Sequence, residues 1–254
     1  MSERGMGMRD LKRYGEVYSE PGFEKYQIKY RRKKVLEILN RYKHRCIFDI
    51  GIGPEPLFQF VKDFDEYYFF EPGEKYYIDA IRIATDVGIH GINRPFYVDE
   101  NIQAIKPDFI ICSGLLHEVE DPEQLIRDIA KTAVNKTVIH FNVPNANSFH
   151  RVLAKSSGLI DDVKTLGTRN VLLQQNMVFD MELLLKVVES CGLKVIEKGS
   201  YFIKPFTHEQ MQRILEEGII SEQILEGLYN LSNYFNDYGS EIYVNAVKRD
   251  KGYD

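Results

Sequence analysis

Seven short β-rich runs, separated by stretches with helical period, constrain this chain more than any other feature. The runs cover residues 46–50, 67–71, 95–98, 109–112, 137–142, 193–197 and 242–247. Several are nearly continuous in apolar residues, as in strands covered on both faces. Between them, helical patterns occupy residues 24–40, 56–61, 74–87, 122–134 and 181–191. In the first of these, Ile28, Val35, Ile38, Leu39 and Tyr42 fall on one stripe. Strands and helices that alternate in this way form a mainly parallel sheet with right-handed crossovers. The end of the chain departs from the alternation. Gly192 closes a helix, and a helical insert at about 207–238 separates two strands that then pair antiparallel. The expected fold is α/β, a seven-stranded, mostly parallel sheet with an antiparallel last strand and a C-terminal helical insertion. Residues 1–44 are read as an N-terminal helical cap and 45–254 as the sheet domain.

With 254 residues, the chain can bury roughly 70–75% of its unfolded surface and needs no disulfide or metal staple. Its 33 basic and 38 acidic residues give net charge −5, which argues against bulk attraction to nucleic acid or an anionic membrane. Cys46, Cys112 and Cys191 are isolated in apolar runs, so they read as small hydrophobes rather than as a zinc ribbon or disulfide framework. No close ligand cluster points to a metal. No run approaches the ~18 apolar residues of a membrane span, and the opening Met-Ser-Glu-Arg-Gly lacks the apolar core of a signal peptide. A reduced, soluble, cytoplasmic protein is expected.

The most informative local segment is Cys46-Ile-Phe-Asp49-Ile-Gly51-Ile-Gly53-Pro54-Glu55-Pro56-Leu57. A strand ends in a carboxylate and a glycine turn, and a helix then opens on proline. Glycines there permit a tight turn and a close approach of a ligand to the backbone. Twenty residues beyond Gly51 the next strand ends in Phe70-Glu71-Pro72, where a carboxylate can accept both hydroxyls of a ribose. This combination points to a nucleoside-type cofactor, the competing reading being a purely structural turn. A dinucleotide fingerprint is broken at its third glycine, where Pro56 stands, and the only Tyr-x-x-x-Lys, Tyr30 to Lys34, precedes the first strand.

The same stretch resembles the D-x-G-x-G motif of class I S-adenosylmethionine-dependent methyltransferases. That resemblance implies a Rossmann-like methyltransferase fold, with S-adenosylmethionine as cofactor and S-adenosylhomocysteine as product. It places Asp49, Gly51 and Gly53 at the methionine moiety and Glu71 at the ribose. Asp99, in Tyr97-Val-Asp-Glu-Asn-Ile, is placed at the adenine amine, and Ser113 joins the cofactor-binding set. Glu55 stands where a third glycine is common. Residues 106–122, with Ser113-Gly-Leu-Leu-His117 followed by Asp121-Pro, resemble the ubiquinone-type small-molecule branch. Pro144-Asn-Ala-Asn-Ser-Phe-His150-Arg151, Phe202-Ile-Lys204-Pro205-Phe206 and Glu241-Ile-Tyr243-Val resemble methyltransferases of bacterial capsule and surface-polysaccharide loci. Residues 173–177 depart from a His-Gln-Arg-like segment of those relatives.

Methyl transfer from a sulfonium is an in-line displacement, so the protein mainly positions the acceptor and excludes water. A hydroxyl acceptor gains from a general base. His117, after the fourth strand, and His150 are the candidates, each weighed against a capping or packing role. Asn145 could place a hydroxyl or phosphate oxygen, or simply make a turn. His140, inside a strand, reads as core; His44, His90 and His208 read as solvated. Tyr14, Tyr18, Tyr26 and Tyr30 precede the sheet and either face the site or pack on a helix. The basic run Lys29-Tyr-Arg31-Arg32-Lys33-Lys34 is a solvated helix face or the seat of a phosphate-bearing substrate.

The expectation is an O-methyltransferase acting on a small polar acceptor, a capsular or surface-polysaccharide precursor (a sugar or a phosphoramidate decoration) that is phosphate-bearing or nucleotide-linked in the sharper reading. A homodimer is admitted. The alternatives are a quinone or natural-product methyltransferase and a non-catalytic S-adenosylmethionine-binding module. A nucleic-acid methyltransferase is disfavoured, because Ser113-Gly-Leu-Leu stands where an Asn-Pro-Pro-Tyr box would be and no Pro-Cys dipeptide exists.

Overall fold

A computed structural model describes residues 22–167, 175 and 177–249. Its elements in chain order are α1 (Glu24–Leu39), β1 (Cys46–Ile50), a 3-10 turn (Leu57–Gln59), β2 (Glu66–Phe70), α2 (Glu74–Ile83), β3 (Ile89–Ile92) and α3 (Glu100–Ala104). They continue with β4 (Phe109–Ser113), α4 (Pro122–Thr132), β5 (Val138–Pro144), α5 (Phe149–Ser156), α6 (Met181–Ser190) and β6 (Leu193–Tyr201). The chain then forms α7 (His208–Glu216), α8 (Glu222–Asn230), a second 3-10 turn (Leu231–Asn233) and β7 (Glu241–Lys248). The seven strands make one sheet in the order β3-β2-β1-β4-β5-β7-β6. All pairs are parallel except those of β7, which runs antiparallel to both β5 and β6. The expected topology is present, including the helical insertion between the last two strands.

Side chains of successive strand residues leave the sheet on opposite faces, and two apolar layers result. Ile47, Tyr67, Phe69, Phe109 and Ile111 meet α1 and the insert through Tyr30, Ile38, Met211 and Tyr229. Phe48, Ile50, Phe70, Ile110 and Phe141 meet α4 and α6 through Ile126, Ile129, Leu184 and Val188. Tyr30 is wholly buried and stacks on Phe202 at 4.5 Å and on Tyr229 at 5.3 Å between ring centroids. Phe202 itself adopts φ +60°, turning the chain sharply from β6 into the insert. Lys29–Glu222 (2.9 Å), Lys33–Glu226 and Tyr229–Glu37 (2.7 Å) complete the attachment of α1 to α8.

Several local expectations change. The third strand is at Ile89–Ile92, not 95–98, although Phe96 is buried in the core from its loop. The helix expected after the glycine turn is one 3-10 turn, because Pro56 is extended (ψ 128°) and Asp63 takes φ +61° soon after. α2 ends at Ile83, and 149–156 and 100–104 are helical where none was expected. Cys112 is buried, whereas Cys46 and Cys191 are partly exposed. No helix among the described residues is long and apolar enough to cross a membrane.

Candidate active site

Strand order reverses direction between β1 and β4, and in open α/β sheets ligands bind outside the strand carboxyl ends at such a point. A cleft of about 1440 Å³ lies there, with Asp49, Gly51, Gly53, Glu71 and Ser113 on its wall. Gly51 (φ +77°) donates its N–H to the Phe70 carbonyl at 2.9 Å, and a Cβ on it would meet the Leu115 side chain at 3.1 Å. Gly53 (φ +60°) is different: a Cβ there would meet nothing within 4 Å, so its backbone borders open cleft. Both conformations favour glycine.

Glu71 is buried and held by two backbone donors, Gly53 N–H at 3.2 Å and Gly73 N–H at 2.7 Å, one to each oxygen. Burial raises its pKa and these bonds oppose the rise. Asp49, also buried, accepts the Tyr67 hydroxyl at 2.6 Å. Burial lifts its pKa to about 7, the Tyr67 bond works against this, and the charge of Glu71 adds to it. The floor is therefore two desolvated carboxylates beside an open glycine, a seat for a cationic group and for hydroxyl donors.

Ser113 donates to the Asn142 side-chain oxygen at 3.0 Å, and Gly114 N–H donates to the same oxygen at 2.6 Å. The Asn142 amide is 3.3 Å from His140 Nε2, whose Nδ1 is 2.8 Å from the Asn245 oxygen, and Asn245 donates to Glu197 at 2.8 Å. These directions require a neutral His140 protonated on Nδ1. Burial holds its pKa down at about 4. His140 is a core residue that braces the β4 turn and does not line the cleft.

Asp99 is not brought to this cleft among the described residues. Its carboxylate caps α3 by accepting Ile102 N–H at 2.9 Å and pairs with Arg94 at 2.7 Å. Asn145 lines the cleft, but its two amide hydrogens go to the carbonyls of Asp237 and Gly239, each at 2.9 Å, and its oxygen accepts Asn147 N–H at 2.9 Å. The side chain ties the end of β5 to the insert rather than presenting donors to a ligand.

His117 and Glu118 are both buried on the wall, with His117 Nε2 3.6 Å from the Glu118 carboxylate. His150 also lines the cleft, 3.1 Å from the Ser148 hydroxyl through Nδ1. Burial and the cations Lys204 and Arg151 lower its pKa to about 2, so it is neutral at physiological pH. His208, expected to be solvated, also lines the cleft, where Lys204 donates to its Nδ1 at 2.9 Å and its Nε2 is 3.1 Å from Glu24.

The basic run of α1 is consumed by carboxylates. Arg31 pairs with buried Glu241, Arg32 with Glu55, Lys33 with Glu226 and Lys34 with Glu37. Sequence reasoning passed over Gln27 on the wall and Asn142, which braces Ser113 from behind. Gln27 donates to Ser240 and Glu241, so its partners are more than 200 positions away and no local pattern announces them. Tyr26 is half-buried and Tyr30 is core; Tyr14, Tyr18 and residues 173, 174 and 176 lie outside the described residues. Among the described residues, no group of three or more His, Cys, Asp or Glu is placed to hold a metal ion.

No protein-family model matches this sequence, and no curated protein matches it significantly. Solved structures do. A chain from the complex between the Haloferax volcanii Trm112 methyltransferase activator and a putative methyltransferase superposes with TM-score 0.58 at 11% identity, covering 96% of each chain. An S-adenosylmethionine-dependent methyltransferase from Mesorhizobium loti gives 0.56 at 15% identity, over 83% of this chain and 94% of that one. A possible histamine N-methyltransferase from Thermotoga maritima gives 0.56 at 13% identity, over 94% and 98%. The fold is that of the class I S-adenosylmethionine-dependent methyltransferases.

Proposed function

We propose that the chain is an S-adenosylmethionine-dependent methyltransferase acting on a small polar acceptor, with residues 1–44 as a cap on the catalytic domain. The observation that carries this reading is the arc of Asp49, Gly51, Gly53 and Glu71 around open space at the β1–β4 switch point. The residues suit the cofactor: Glu71 can accept the ribose hydroxyls, Asp49 offers negative charge to the methionine end, and Gly53 leaves room for close approach. When bound, S-adenosylmethionine supplies an electrophilic methyl on sulfur. The protein's part is to align the acceptor with that methyl, keep water out and receive the acceptor's proton.

His117 is the better base of the two histidines. Its imidazole has the Glu118 carboxylate 3.6 Å away to offset the positive charge that protonation creates. His150 sits among cations that oppose the same charge, and it serves as a neutral orienting group with Ser148. Resemblance to surface-polysaccharide methyltransferases makes a sugar or sugar-phosphate hydroxyl the favoured acceptor, with a quinone or natural-product hydroxyl as the alternative.

Calorimetric titration with S-adenosylmethionine, S-adenosylhomocysteine and NAD tests the cofactor assignment. The first two should bind, NAD should not, and Asp49→Ala or Glu71→Ala should weaken binding by at least about tenfold. Binding of NAD alone would overturn the reading. Cofactor binding without turnover on any sugar, phosphate-ester or phenol acceptor would favour a non-catalytic module. His117→Ala should keep cofactor affinity and lower turnover more than His150→Ala does.

A further inference from the structure

A line of polar side chains crosses the sheet from the cleft to its β6 edge. Ser113 on β4 is the register partner of Asn142 on β5, His140 on β5 is that of Asn245 on β7, and Asn245 is that of Glu197 on β6. Asn142 and His140, two residues apart, share one face of their strand. Asn142, His140 and Asn245 are wholly buried, where apolar side chains would pack without the cost of desolvating polar groups. Beyond Asn245, Glu197 reaches the surface and accepts from Arg41 Nη2 at 2.9 Å.

Both ends of this line are fixed, and they leave one arrangement between them. Gly114 N–H can only donate, so the Asn142 atom 2.6 Å from it is the carboxamide oxygen and the amide nitrogen faces His140. That nitrogen donates in turn. His140 Nε2 therefore accepts at 3.3 Å, and the imidazole hydrogen sits on Nδ1, toward the Asn245 oxygen at 2.8 Å. Asn245 then donates to the Glu197 carboxylate at 2.8 Å. Ser113 is 3.0 Å from the same Asn142 oxygen, which cannot donate, so the serine hydrogen is spent there. What Ser113 presents to the cleft it lines is oxygen lone pairs and no hydrogen. The two carboxamides neither take up nor release protons near neutrality, so the line orients Ser113 and does not conduct.

We infer that Asn142 and His140, which do not line the cleft, are positioning residues that lock Ser113 as a hydrogen-bond acceptor for an N–H or O–H donor of the bound nucleoside cofactor. This deepens the methyltransferase reading and rests on it. Ser113 ends β4 two residues past Ile111, the register partner of Asp49, so its oxygen and the Asp49 carboxylate stand at the carboxyl ends of neighbouring strands. Both are suited to the same donor-rich end of the ligand. A serine free to turn could meet that donor with its own hydrogen; the buried line removes this state before the ligand arrives.

The test uses the full chain, titrated calorimetrically with S-adenosylhomocysteine and with methylthioadenosine, which lacks the amino-acid end. Ser113→Ala should weaken S-adenosylhomocysteine binding about three- to tenfold. His140→Phe, which can neither accept from Asn142 nor donate to Asn245, should do the same. His140→Gln, which can do both, should recover most of that loss. In wild type, nitrogen NMR of the imidazoles, with His140 assigned by its absence from His140→Gln, should show hydrogen on Nδ1 and none on Nε2. If Ser113→Ala spares methylthioadenosine, the donor is the α-ammonium; if it weakens both ligands equally, the donor is a ribose hydroxyl. The lock is overturned if Ser113→Ala binds both ligands as wild type does, if His140→Gln is as weak as His140→Phe, or if His140 Nε2 carries a hydrogen. Should His140→Phe not fold, Ser113→Ala and the wild-type spectrum decide. A wild-type chain that binds neither nucleoside would remove the methyltransferase reading, and the imidazole spectrum would still decide the arrangement of the line.

Discussion

The Tyr67 hydroxyl, on β2, donates to the Asp49 carboxylate, on β1, at 2.6 Å, and it is the one side-chain bond that offsets the burial of that carboxylate. Two strands thus determine how readily the floor of the cleft carries a negative charge. Asp49 has a folded-state pKa of about 7, above its ordinary 3.8. Between those values the folded chain holds a proton that the unfolded chain releases, so this contribution to stability falls as pH rises from about 4 to about 7. The slope is at most about 1.4 kcal/mol per pH unit. Urea melts at several pH values should show Asp49→Asn losing that slope relative to wild type. Affinity for S-adenosylmethionine should rise through pH 7 as Asp49 ionises, and Tyr67→Phe should move the rise to higher pH.

The two glycines of the first turn should respond differently to alanine. Gly51→Ala combines a left-handed backbone with contact against Leu115 and should destabilise the fold by about 1–3 kcal/mol. Gly53→Ala has the backbone strain alone, about 1 kcal/mol, and should instead lose most of its cofactor affinity. Denaturant melts and calorimetry on both variants separate the two effects. Equal loss of stability in both would contradict the open space beside Gly53.

Asn145→Ala should act on stability before it acts on ligand binding. Removing the carboxamide leaves the carbonyls of Asp237 and Gly239 without that donor, a cost of about 1–3 kcal/mol. The melting temperature should fall by several degrees, while S-adenosylhomocysteine affinity measured well below it stays unchanged. A large loss of affinity with unchanged melting would return Asn145 to the ligand.

Glu241 is 2% exposed and gathers Arg31, Gln27 and Tyr201 around one carboxylate. Glu241→Ala leaves Arg31 without its main counter-charge and should cost about 3–5 kcal/mol. Limited proteolysis should then cut between α1 and β1, where wild type resists.

The parallel part of the sheet was readable because its strands are continuous apolar runs. Cys46–Ile50 coincides with β1 and 109–112 is within one residue of β4. The third strand was misplaced because Ile-His-Gly-Ile at the sheet edge is only partly buried and carries little apolar signal, whereas Pro95-Phe96-Tyr97-Val98 is more apolar but serves as loop. Within the site, Asp49, the glycines and Glu71 were found because their spacing along the chain is itself the signal. The roles of Asn145, Arg31 and His208 were not, since each is set by partners 92, 210 and 184 positions away. Asp99 has the residue type expected of an adenine contact, yet Arg94 and the α3 backbone occupy its carboxylate.

Helix α1 finds its partners not in the strands that follow it but in the insert and β7, with Gln27 and Glu241 separated by 214 positions. Such contacts form only after the intervening chain has collapsed, and loop closure over that span slows assembly. During folding, the floor of the cleft, built from β1 and β2, can be in place while its roof is still open. A nascent or partly refolded chain should therefore acquire its nucleoside-facing turn early and its acceptor-facing enclosure last, so that ligand capture reports completion of the fold rather than its beginning.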